Sequence, residues 1–179
     1  MELNPLILTL TLDPEAADFF TQLRTQHFPP ERNYLQAHLT LFHHLPPTEK
    51  VIKETLEQIC QKQPQITLEV TDLMSLGKGV AYRIASEELQ ELHRYLQEQW
   101  ELFLLPQDKQ KLRPHITIQN KVKPEEAKGL EHRLRQSFQP FQISGIGFTL
   151  WEYQGGPWKL LKEFPFQPVF EKTASKQIH

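Results

Sequence analysis

Two stretches decide how this chain is read: Ala37-His38-Leu39-Thr40-Leu41-Phe42-His43-His44-Leu45 and Arg113-Pro114-His115-Ile116-Thr117-Ile118-Gln119-Asn120-Lys121-Val122. Both are β-branched or Leu-rich and alternate apolar with polar residues about the motif, His38 and Thr40 in one and His115, Thr117 and Gln119 in the other, so each is expected to be a strand. Side chains alternate along a strand, which puts His38 and Thr40 on one face and His115 and Thr117 on one face, with Leu39 and Ile116 turned the other way into a core. The same alternation puts Phe42 and His44 on the face of His38 and sends His43 to the opposite one. His43, His27, His93 and His132 are expected at or near the surface.

Outward from each histidine the chain repeats itself. Pro47 lies nine residues after His38 and Gly79 forty-one after it; Pro124 and Gly156 stand at the same offsets from His115. Leu6 to Leu12 alternates as a strand, and Asp13-Pro14-Glu15 supplies a cap, a proline at the first helical position and an early carboxylate. Ala16, Phe20 and Leu23 then mark one helical face, and Pro29-Pro30 ends it. After His38, Pro46 to Glu49 opens a helix with Ile52, Leu56 and Ile59 on one face. Ile66 to Leu76 and Val80 to Ala85 form a hairpin about Gly77-Lys78-Gly79. A helix capped by Ser86, with Leu89, Leu92 and Leu96, leads to the second motif. Pro124 opens another helix bearing Ala127, Leu130 and Leu134, and Phe141–Tyr153 and Trp158–Phe166 close the pattern as a hairpin. Each unit therefore reads strand, helix, strand with histidine, helix, strand. The expected fold is α+β: a duplicated, bilobal domain over residues 1–170, with units at 38–86 and 115–166 related by a pseudo-twofold axis. Two antiparallel sheets flanked by helices would frame a central cleft. Residues 171–179 read as a polar tail.

Composition agrees with one domain. The chain has 179 residues, 39% apolar and 23% charged, enough to bury a core without disulfides or metal. Leu6–Leu12 is too short and too rich in threonine for a membrane span, and no basic residue precedes it as in a secretory signal. The single cysteine, Cys60, shares a helical row with Ile52 and Leu56 and is expected as a buried thiol in the reducing cytoplasm. Twenty basic against 22 acidic side chains give a net charge of −2. That lacks the excess needed for tight binding along nucleic acid, so a nucleic-acid partner would be met at one end or one phosphate.

A pair of H-x-T units about a twofold axis suits in-line displacement at phosphorus. One imidazole can take a proton from the attacking oxygen while the other gives one to the leaving oxygen, and an imidazole pKa near 6.5 lets one be neutral and one charged. Two threonine hydroxyls can donate to the non-bridging oxygens. Threonine is a poor ligand for zinc or iron, so no metal site is expected.

The paired motifs, AHLTLF and RPHITI about 75 residues apart, resemble those of the two-histidine (2H) phosphoesterase superfamily, and the size and duplication are similar to its 2′-5′ RNA ligase-like branch. The resemblance spans about Leu6 to Phe166. It implies His38, Thr40, His115 and Thr117 as the catalytic groups, acting without metal or other cofactor on 2′,3′-cyclic phosphates or related phosphodiesters of RNA ends and small nucleotides. In some relatives the same chemistry runs in reverse as ATP-independent 2′-5′ RNA ligation. Several ligase-like members carry an arginine six residues after the second motif histidine, where this chain has Lys121, which supplies charge but not a bidentate fork. Arg113 is a second candidate clamp for phosphate. Phe42 and Tyr34 are candidate base-stacking residues, as are Trp151 and Trp158. The expected protein is a monomer. The alternative is a non-catalytic RNA-end or nucleotide-binding module using the same cleft. Arg113 and Lys121 beside His115 would disfavour its imidazolium, which makes His115 the expected base and His38 the acid.

Overall fold

Asp13 shows how the chain organises its first elements. One carboxylate oxygen accepts from the Ala16 N–H at 2.9 Å and the other from the Ser144 N–H at 2.8 Å, so a single side chain caps a helix and ties it to a distant strand. In the computed structural model, which describes residues 3–168, β1 (Leu6–Leu12) runs through this cap into α1 (Pro14–His27). There follow β2 (Leu39–Leu45), α2 (Lys50–Cys60), β3 (Ile66–Ser75), β4 (Val80–Ala85), α3 (Glu87–Gln99), β5 (His115–Gln119), α4 (Pro124–Ser137), β6 (Phe141–Tyr153) and β7 (Trp158–Pro165). The proposed tail, 171–179, lies outside the described residues.

Every expected strand and helix is present, with shifted ends. Strand β2 begins at Leu39, so His38 sits just ahead of it, and β5 stops at Gln119 rather than Val122. Helix α2 starts at Lys50 with no side-chain cap, because Pro46 to Glu49 holds nothing that reaches back to its free N–H groups.

All seven strands belong to one antiparallel sheet of order β2-β1-β6-β3-β4-β5, with β7 also on β6. Two sheets were expected; the hydrogen bonding is continuous because β6 is long enough to serve both. Its first part, Phe141–Gly145, pairs with Ile66–Val70 of β3. Its later part, Gly147–Tyr153, pairs with β7, while β1 follows its other edge. The change of partner falls at Gly145-Ile146-Gly147. A Cβ on Gly145 would lie 2.8 Å from Leu10 Cδ2, and one on Gly147 would lie 2.5 Å from the Phe164 carbonyl, so glycine is required for the neighbours to close in.

The pairing also exchanges strands between the chain's halves. β3 pairs with β4 on one edge and with β6, from the far end of the chain, on the other, and β6 pairs in turn with β1. Between β3 and β6, Thr67 stands opposite Ser144, Leu68 opposite Ile143 and Ile66 opposite Gly145. Seventy-seven residues separate Thr67 from Ser144, as they separate His38 from His115.

Helices cover the sheet, and the core between them holds Phe20, Phe42, Trp100 and Phe148 with no exposure. Cys60 is buried, donates to the Phe164 carbonyl at 3.4 Å, and burial pushes its thiol up to about 12. Among the described residues no helix is long and apolar enough to cross a membrane.

Candidate active site

The two H-x-T units are built alike. His38 Nδ1 lies 2.8 Å from the carbonyl of Gln36, and His115 Nδ1 lies 2.7 Å from the carbonyl of Arg113, two residues back in each case. A carbonyl only accepts, so Nδ1 carries a proton in both rings and Nε2 is the nitrogen left for other work. Leu39 and Ile116 are fully buried, while His38, Thr40, His115 and Thr117 are partly exposed, as alternation along a strand requires. β2 and β5 stand at opposite ends of the sheet order, yet they approach one another. The sheet is therefore curved so that its two histidine-bearing edges meet across a cleft.

Behind the cleft lies Arg24, which sequence reasoning missed. It is buried at the end of α1; its Nε donates to Asn33 Oδ1 at 2.8 Å, its Nη1 to the Thr117 carbonyl at 3.2 Å, and its guanidinium lies 4.0 Å over the Phe28 ring. It ties the first half's helix to the second half's motif strand. Burial lowers its pKa to about 10, still charged near neutrality. A signal existed: Ala16, Phe20 and Arg24 share one helical row at spacings of four, and a cation continuing an apolar row asks for a buried partner.

Arg24 also helps set the histidines apart. Burial, first, and then the charges of Arg24, His115 and His43 push His38 down to about 4, against the opposing hydrogen bond to Gln36. His38 is thus neutral near pH 7. The sequence expectation, with His115 as base, weighed only neighbours along the strand. The positive group that bears on His38 arrives from α1 through the tertiary fold.

The surroundings of the two motifs differ. His38 opens onto a cavity of about 430 Å³ that also touches Thr11, Tyr34, Trp151 and Trp158. The Trp158 ring is 4.6 Å from that of His38 and 6.0 Å from that of Trp151. Trp151 Nε1 donates to Thr9 Oγ1 at 3.0 Å, and the hydroxyls of Thr11 and Thr149 are 2.6 Å apart. Tyr34 is 59% exposed and faces Gly156 in the β6–β7 turn. On the other side a cavity of about 170 Å³ holds Thr40, His115 and Arg113 together with His43 and Lys111.

Two sequence expectations, for Phe42 and His93, are corrected. Phe42 is not in the cleft: it is fully buried, stacked on His93 with centroids 4.6 Å apart and edge-on to Trp100 at 5.1 Å. Thr9 faces Thr40 but Leu8 faces Phe42 and Leu6 faces Leu45, so β2 carries extra residues relative to β1. Such bulges reverse the alternation, and Leu41 and Phe42 both point inward. His93 is likewise buried, with Nε2 bonded to the Leu41 carbonyl at 2.9 Å. Lys121, the candidate clamp, lies beyond the end of β5 in a left-handed turn, φ 62°, where its N–H donates to the side chain of its neighbour Asn120.

Among the described residues no group of three or more His, Cys, Asp or Glu side chains is arranged to hold a metal ion. No curated protein matches the sequence. Among solved structures the fold is similar to TT0787 of Thermus thermophilus, with 15% identity, TM-score 0.65, and coverage of 93% of this chain and 100% of that one. It is also similar to Escherichia coli LigT solved with 3′-AMP, with 21% identity, TM-score 0.58, and coverage of 93% and 99%; LigT has also been solved with phosphate. The model of the 2′-5′ RNA ligase superfamily matches residues 12–157, a span that includes both H-x-T units and every element from α1 to β6, and the chain belongs to that family.

Proposed function

We propose that the protein is a phosphodiesterase that opens 2′,3′-cyclic phosphates, or cleaves related phosphodiesters at RNA ends and in small nucleotides, by two-histidine acid–base catalysis. The observation that carries this reading is the repeated geometry of the motifs: two imidazoles, each held at Nδ1 by a carbonyl two residues back, on strands that meet across one cleft. The lowered pKa of His38, set first by burial, supports its role as the base. Nε2 of His38 takes a proton from water as its oxygen attacks phosphorus. The bond from phosphorus to one ribose oxygen breaks, and that oxygen receives the proton on Nε2 of His115. Thr40 and Thr117 donate to the non-bridging oxygens, whose charge grows in the transition state, and Arg113 adds a fixed positive charge beside His115. These groups supply acid, base and oxyanion donors, so the scheme needs no metal. With a ribose 5′-hydroxyl in place of water as the nucleophile, and the 3′ oxygen as the one that leaves, the same transfers turn a 2′,3′-cyclic phosphate into a 2′-5′ linkage without ATP.

Family membership supports the reaction class, and the LigT complexes with 3′-AMP and phosphate are what a cleft of this kind would be expected to hold. The β3–β6 register supports reading the chain as a bilobal duplication over residues 1–170: the spacing that relates His38 to His115 also relates Thr67 to Ser144, which face each other, so a pseudo-twofold axis would pass through that pair. The monomer and the cytoplasmic setting are part of the same proposal.

The test is a turnover screen in EDTA with 2′,3′-cyclic nucleotides, cyclic-phosphate-ended RNA, ADP-ribose cyclic phosphate and 2′-5′ dinucleotides. Hydrolysis of at least one cyclic phosphate is expected. Tight binding with no turnover of any would make the protein a binding module, and turnover abolished by EDTA would make it a metal enzyme.

A further inference from the structure

The smaller cavity holds cationic groups that the two-histidine scheme leaves unused. His43 Nδ1 lies 3.2 Å from Asp108 Oδ1. A carboxylate only accepts, so Nδ1 carries the proton and Nε2 is the free nitrogen of a half-exposed ring that lines the cavity with Thr40, His115, Lys111 and Arg113. Asp108 itself is 3% exposed, and its oxygens also accept the backbone N–H groups of His43, at 2.9 and 3.1 Å, and of His44, at 2.9 Å. The β2 bulge leaves these N–H groups for Asp108, so this carboxylate is occupied by internal donors. The basic character of the cavity then rests on Lys111 and Arg113.

The wall is also pre-set. Gln97 Nε2 donates to the carbonyls of Asp108 at 2.9 Å and Gln110 at 2.8 Å, and Gln90 Nε2 to that of Leu112 at 2.9 Å. Two side chains of α3 thus hold the loop that presents Lys111 and Arg113, which lowers the ordering cost of binding there.

We propose that this cavity is a second anion subsite, which takes a phosphate monoester of the substrate separate from the phosphodiester that reacts, with Lys111 and His43 as its ligands. The proposal rests on the reading of the cleft given above. The ammonium of Lys111 supplies charge, and His43 Nε2 binds a phosphate oxygen through a proton that either partner brings. The preferred substrates would then be nucleotides with a further terminal phosphate, on the side of the reacting phosphorus away from the tryptophans.

Calorimetric titration with 3′-AMP and with adenosine 3′,5′-bisphosphate, at one fixed salt concentration, tests this. The bisphosphate is expected to bind the wild-type protein about tenfold more tightly than 3′-AMP, a gap of about 1.4 kcal/mol. That ratio is expected to fall towards one in Lys111→Ala and in His43→Gln, and to persist in Lys109→Ala, which removes an exposed charge outside the cavity. A ratio near one in the wild type, an undiminished ratio in both cavity variants, or an equal drop in Lys109→Ala would overturn the subsite while leaving the cleft's reading intact. Failure of 3′-AMP itself to bind would overturn that reading and the subsite with it.

Discussion

The His38 side and the His115 side of the cleft share a motif, a backbone hydrogen bond and a place at the sheet's edge, and they differ in nearly everything else. Around His38 stand Trp151, Trp158 and Tyr34; around His115 stand Arg113, Lys111 and the His43–Asp108 pair. The segments that lead into the two motifs explain part of this: residues 28–37 bring Tyr34 to one side, and residues 104–114 bring Lys111 and Arg113 to the other. Twofold symmetry can place an acid and a base on opposite sides of one phosphorus, but it leaves them equivalent. Unequal surroundings are needed to decide which imidazole is neutral, and under the proposed function they would also decide which way round a nucleotide lies, its base against the rings and its charge against the cations.

The comparison is most easily broken at the histidines. His38→Ala and His115→Ala are each expected to lower kcat by about 10²–10⁴-fold, the usual contribution of a general acid or base, with folding retained. Steady-state rates on a cyclic nucleotide, with circular dichroism as the folding check, decide it; a variant keeping more than about a tenth of the rate would end the paired mechanism. Next come the shared hydroxyls. Thr40→Val and Thr117→Val are each expected to cost about 10–10³-fold in kcat, and near-normal rates in both would assign the threonines to the sheet.

The aromatic side is sharpened by Trp158→Ala. Loss of one base-stacking ring is worth about 1–3 kcal/mol, so KM for a nucleoside 2′,3′-cyclic phosphate should rise about 5–100-fold while that for the base-free ribose cyclic phosphate changes little. Equal losses on both substrates would make Trp158 only a packing partner of His38. The smallest expected effect is in pH dependence. The His38 ring protons should titrate at about 4 by NMR, below the ordinary value of 6.5. The folded state then binds fewer protons than the unfolded chain, so stability present above pH 6.5 is lost as pH falls towards 4. Over that window Tm should fall more steeply for the wild type than for His38→Asn. A His38 pKa at or above 6.5 would return the base role to His115.

Sequence alone determined the elements, their order and the four motif residues, because strand alternation and proline-bounded helical rows are local properties, legible wherever burial follows a regular period. Leu39 and Ile116 are buried between partly exposed partners for that reason. Regularity is also where local reading stops. The bulges in β2 turned Phe42 into the core and freed the His43 and His44 N–H groups for Asp108, and nothing near Phe42 in the chain announces them. Only the tertiary structure decided that β3 and β6 pair across the chain, that a curved sheet brings its two edges together, that Arg24 from α1 reaches the Thr117 carbonyl, and that burial, with the Arg24 charge behind it, depresses His38. Each is a long-range contact, set by which surfaces can be buried together and which buried polar groups must find partners. Burial, first, and charges that meet only through such packing shift a pKa in a direction that neighbours along the chain do not foretell.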